Sequence, residues 1–262
     1  MRARHWHDRR LGTLALGLAF PAAVALVWQV AAAKGVIDPS VWASPWRVAL
    51  AVAVQVQDPQ FWSDLGASLW RDAQGTALGI LLGMIAGVAL GRSALLREYF
   101  GPTLDAAKAV PLFTWVPLLS VWVGSGEGGK IAFITLAAAI PVLFNTAEGV
   151  LSLEPRHLEL VRLYHIGFVT RLRRVILPGA GPGILRGVHQ ALLYGWLATI
   201  GAEFLFEAGN GIGTNITGAR ELYALDVVIA DMLAIGLIGV AFDLGFGFIE
   251  RYLLRWREDH RT

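Results

Sequence analysis

The residues whose chemistry most needs an explanation are ionisable groups set within apolar stretches: Glu203, His189, Asp231, Glu148 and Asp243. A charged side chain at the centre of a bilayer-length helix costs about 2.5–3.5 kcal/mol on insertion scales, so such a residue is kept for a partner or for a pathway. His189 and Glu203 are fourteen residues apart, close to four helical turns, and fall on roughly one face. Two readings stand for Glu203, lining a solute path or pairing across a bundle. Glu148 and Asp243, near the ends of their stretches, read as structural. His189, Glu203 and Asp231 are therefore the pathway candidates.

Catalytic chemistry finds few ingredients. The six histidines, His5, His7, His157, His165, His189 and His260, have no metal-ligand spacing, and there is no cysteine and no GxSxG. No catalytic residue and no metal site is expected. Residues 124–130, Gly-Ser-Gly-Glu-Gly-Gly-Lys, match the core of a phosphate-binding loop, but Ile131 stands where a Ser or Thr must hold magnesium. An apolar run follows instead of a solvated helix, so the segment reads as a tight turn between two membrane spans. An intramembrane enzyme or a secondary transporter remains the alternative class.

The elements that must position these residues follow from composition. Of 262 residues 55% are hydrophobic and only 16% charged, with a mean hydropathy of +0.56. An ordinary soluble domain carries about 25% charged residues, so this is a membrane protein lying in a lipid bilayer. Runs long enough to cross about 30 Å of hydrocarbon lie near 11–33, 73–91, 104–123, 131–151, 183–206 and 225–249. The expectation is an all-α polytopic bundle of six spans forming one domain over 1–262. Placing both termini in the cytoplasm puts fifteen of the 22 Lys and Arg on the inner side and only five (Lys34, Arg47, Arg71, Lys130, Arg220) outside. Lys108 and Arg186 then snorkel from within spans. The net charge of +2 gives no reason to expect nucleic acid. Residues 34–72, rich in Pro and Trp, read as short helices on the outer surface.

Two further patterns stand out. Gly75, Gly79, Gly83, Gly87 and Gly91 recur every fourth residue and present bare backbone along one side of the second span. Such a stripe commonly serves static close packing; a sliding contact is the functional alternative. The inner loop 152–182 opens an amphipathic helix at Pro155, with Leu160, Leu163, Tyr164 and Phe168 on one stripe and Arg156, Glu159 and Arg162 on the other side. Such a helix could lie on lipid or dock into a partner's groove.

This loop resembles the cytoplasmic E-A-A-x3-G motif, followed by Leu-Pro, of the membrane subunits of bacterial ATP-binding-cassette importers. Glu159 opens it and Leu177-Pro178 closes it, although Leu160 and Val161 replace the alanines, and His165 holds the glycine position with Gly167 two places on. Further matches are Ser68-Leu69, Lys108-Ala109-Val110-Pro111 with Pro117, Trp122-Val123-Gly124-Ser125-Gly126-Glu127 with Lys130, Pro141, Asn145-Thr146, Trp196, Ala202-Glu203, Gly211-Ile212-Gly213 and Asp226. The pattern is most similar to the nitrate, taurine and aliphatic sulfonate branch, in which an arginine is common where His189 stands. The resemblance implies a homodimeric inner-membrane permease that moves a small oxyanion. It also implies separate cytoplasmic ATPase subunits that carry ATP and magnesium, and a periplasmic solute-binding protein. Arg156, Glu159, Arg162, His165, Gly167 and Phe168 would form the ATPase-coupling helix.

Overall fold

The computed structural model describes residues 19–35, 42–153, 167–206 and 209–253. Among them every regular element is a helix. The helices are α1 (Ala19–Ala33), α2 (Pro45–Gln55), α3 (Pro59–Arg92), α4 (Ala94–Ala109), α5 (Val116–Trp122), α6 (Glu127–Leu151), α7 (Phe168–Arg171), α8 (Leu177–Leu205), α9 (Ile212–Glu221) and α10 (Leu225–Leu253). A 3-10 turn, Leu112–Trp115, precedes α5, and a π turn, Leu172–Ile176, joins α7 to α8. The chain forms two compact units, 1–62 with 215–234 and 63–214 with 235–262.

Helices α3, α6 and α10 are long and apolar enough to cross a membrane, and α4 with residues 112–122 makes a fourth if that pair, bent by 104°, counts as one span. Six spans were expected. The run 11–33 is described only from Ala19, and α8 is long enough but is kept outside the apolar group by Arg186, His189, Gln190 and Glu203. The expected span 104–123 is broken because Pro111 has no N–H to give to the helix and forces the preceding Val110 into extended backbone (φ −74°, ψ 124°). The second span starts earlier than its apolar run, since α3 begins at Pro59 and carries Arg71 and Asp72 inside the helix rather than in an outer loop. The expected loop 152–182 is helical from Phe168 onward. At Leu177 its N–H bonds Leu172 O one residue further back than in an α-helix, just ahead of Pro178, which has no N–H to offer.

In the larger unit α6 is the central helix. Its core residues Phe133, Ile134 and Ala137 pack against Ala198, Ala202 and Phe206 of the α8 region, Ala138 and Val142 against Ala191, and Val150 against Ile176 and Ala180. Its other side takes the glycine stripe of α3. A Cβ at Gly79 would stand 2.6 Å from Ala138 Cβ and 2.7 Å from Thr135 O, and one at Gly83 would stand 2.6 Å from Ala139 O. The backbones touch because no side chain intervenes. The opposite face of α3 exposes Leu78, Leu81, Leu82 and Ile85, and α10 exposes Leu237, Leu244 and Phe248. Exposed apolar rows of this length suit lipid rather than water. In the smaller unit, Arg47 reaches Asp226 at 3.7 Å.

Candidate functional site

The N-terminal half of α3, the start of α6 and the end of α8 are tied by a buried polar knot. Glu203, whose side chain is 0% exposed, pairs with Arg71 of α3, itself 4% exposed. Ser68 Oγ donates to Glu203 Oε1 at 2.7 Å, and the Gly213 N–H donates to Oε2 at 2.7 Å. Arg71 also grips Glu127 in a bidentate pair, Nε to Oε2 at 2.7 Å and Nη2 to Oε1 at 2.9 Å, and donates to Asn210 O at 3.0 Å. The fully buried Lys130 amine lies 3.7 Å from Glu127. The Ile212 N–H donates to Ser68 Oγ at 3.0 Å, so the first turn of α9 supplies two backbone donors to the knot.

Local sequence makes this closure possible. Gly124 (φ 98°) and Gly209 (φ 88°) adopt left-handed backbone at the two turns that feed the knot. A Cβ at Gly211 would overlap the Glu203 carboxylate, and one at Gly213 would stand 2.7 Å from Glu203 Cβ. Only a chain without side chains there can lay its N–H groups on the carboxylate. One turn along, Asp72 Oδ1 accepts from Thr199 Oγ at 3.1 Å and from Thr76 Oγ at 3.2 Å, extending the polar seam between α3 and α8. Buried charges that are paired and hydrogen-bonded hold one geometry, and removing one partner leaves the other uncompensated.

The pathway candidates go to different partners. Glu203 is in the knot, whereas His189 lies 2.9 Å from Asp243 and stacks on Phe246 with ring centroids 5.0 Å apart. Asp231, in the smaller unit and fully buried, accepts from Gln55 at 3.0 Å and from Asn215 at 2.9 Å. Arg156, Glu159, Arg162 and His165 lie outside the described residues, while Gly167 caps the helix that Phe168 opens, its carbonyl accepting from Arg171 N at 2.9 Å. Sequence reasoning missed Arg71, Glu127 and Lys130 as site residues, having placed them in outer loops. Their signal was the presence of both charge signs at the rim of apolar runs. Among the described residues no group of three or more His, Asp or Glu could hold a metal ion.

Apolar rows open to lipid, a glycine-packed central helix and a buried charge knot define an integral membrane helical bundle. Residues 79–258 match the family described as "Binding-protein-dependent transport system inner membrane component", and the chain belongs to that family. It is 31% identical, over 93% of its length and 88% of the relative's, to the putative aliphatic sulfonates transport permease protein SsuC of Bacillus subtilis. To the taurine transport system permease protein TauC of Escherichia coli it is 32% identical over 96% and 92%. Its fold is similar to a chain of the inward-facing MetNI methionine ABC transporter, with a TM-score of 0.55 at 19% identity, covering 79% of this chain and 96% of that one.

Proposed function

We propose that this chain is the permease subunit of an ATP-driven importer that carries a small oxyanion, of the taurine, alkanesulfonate or nitrate kind, across a bacterial inner membrane. The observation that carries the reading is the family match over residues 79–258, joined to relatives named for aliphatic sulfonate and taurine transport. Two copies, each with six spans and both termini in the cytoplasm, form the pathway. Solute arrives on a periplasmic binding protein. ATP and magnesium are bound by cytoplasmic ATPase subunits, and the chain is not itself an enzyme.

Energy enters through the helix containing Arg156, Glu159, Arg162, His165, Gly167 and Phe168, which docks on the ATPase. Closure of the two ATPases draws these helices together and rocks the spans between inward-open and outward-open states. The close glycine contacts between α3 and α6, and the charge knot that adds α8, support movement of these three helices as one block. The test is deletion of the gene followed by growth on taurine, an alkanesulfonate or nitrate as sole sulfur or nitrogen source, together with purification of the tagged chain. Loss of growth on one of these solutes and a co-purifying ATPase are expected. Uptake that persists without an ATPase would overturn the reading in favour of a secondary transporter.

A further inference from the structure

In the larger unit a cavity of about 640 Å³ opens in the crook of the bend between α4 and α5. That is within the range of small-ligand sites, roughly 300–1,000 Å³. One face of α6, carrying Pro141, Phe144 and Asn145, forms a wall, and one face of α8, carrying Gln190 and Leu197, forms another. Lys108 stands at the bend itself. Its amine lies 4.3 Å from the centroid of the Phe144 ring, and Asp105, one turn back, meets it at 3.4 Å with both side chains more than half exposed. Such an exposed pair holds the ammonium weakly and leaves it donors to spare.

The amide groups are arranged more tightly. Asn145 Nδ2 donates to Pro141 O at 2.8 Å and to Gln190 Oε1 at 2.9 Å. This fixes the Gln190 carbonyl and leaves its N–H2 as a donor on the cavity wall. The cavity therefore offers one cation and one amide donor, with Tyr194 also on its wall, and the rest of its lining is largely aromatic or aliphatic. A small hydrated anion would lose water along walls that return few hydrogen bonds. An anion with a hydrocarbon tail would gain from the same walls.

Resting on the importer reading above, we infer that this cavity binds an amphiphilic oxyanion, an organic sulfonate or similar monoanion with a short aliphatic chain, in preference to an inorganic oxyanion. The head group meets Lys108 and Gln190, and the tail lies along Phe144, Pro141 and Leu197.

The test uses the full chain with its ATPase subunits in neutral phosphatidylcholine nanodiscs, with radiolabelled pentane-1-sulfonate as probe. Unlabelled ethane- to hexane-sulfonates should compete with affinity rising about fourfold per methylene. Nitrate should compete at least tenfold more weakly than pentanesulfonate. Lys108→Met, which keeps the stem and removes the charge, should weaken binding about tenfold to a hundredfold while ATPase retention is unchanged. Competition that ignores chain length, nitrate equal to pentanesulfonate, or a Lys108→Met variant that binds normally would each overturn the inference. Displacement of the probe by phosphatidylglycerol in the disc would assign the cavity to a lipid head group and overturn it too. If the ATPase is retained and coupled while these results fail, only the site is wrong; if no ATPase is retained, the importer reading falls instead.

Discussion

Arg71 and Glu203, 132 residues apart in the chain, form a buried ion pair between α3 and α8. The same guanidinium holds Glu127 at the start of α6, so three helices are registered against one another by one side chain. In a setting with little water to take over lost hydrogen bonds, that register is hard to change piecemeal.

Glu203→Ala should destabilise the folded chain by about 3–5 kcal/mol, because Arg71 would remain buried with one carboxylate fewer. Adding Arg71→Met to Glu203→Ala should cost less than the sum of the two single changes. Thermal unfolding of the four proteins in detergent gives the cycle, and strict additivity would show that the pair contributes no coupling.

Two glycines of α3 should respond with opposite sign. Gly79→Ala places a methyl against the backbone of α6 and should cost about 1–3 kcal/mol. Gly66→Ala meets nothing within 4 Å and should stabilise the helix by about 0.5–1 kcal/mol. Melting temperatures of the purified variants check both signs.

A periplasm-activated reporter fused after Thr262 should be silent, because the arginine bias predicts a cytoplasmic C-terminus. A strongly active fusion would reverse the topology.

Glu159→Ala should leave membrane insertion unchanged, because its spacings to Arg156 and Arg162 are worth only about 0.2–0.5 kcal/mol each in a solvated helix. In the purified complex it should release the ATPase subunit or uncouple solute-stimulated hydrolysis from transport. Normal coupling would remove Glu159 from the docking surface.

The helical, membrane-embedded class of this protein was legible in one dimension. Apolar runs and a four-residue glycine period are properties of neighbours along the chain, and α3 and α6 follow from them. The break at Pro111 was present in the sequence as well, but it was overridden by the apolar count across 104–123. Proline chemistry won there because a missing N–H acts at one residue, whereas hydropathy averages over twenty.

The sequence by itself determined that Glu203 needed either a partner or a water-lined path, since an isolated carboxylate cannot be left in a hydrocarbon core. Which partner it takes was decided only by the tertiary structure: Arg71 and Lys130 sit at the edges of runs and look like loop charges until α3 is extended back to Pro59 and α6 begins at Glu127. Likewise Lys108, Asn145 and Gln190 are separated by 37 and 45 residues and share a cavity only because the chain bends between α4 and residues 112–122 and α6 packs along α8. Hydropathy records whether a residue can leave water. Electrostatic pairing depends on distance in space, and that distance is set by how the helices pack.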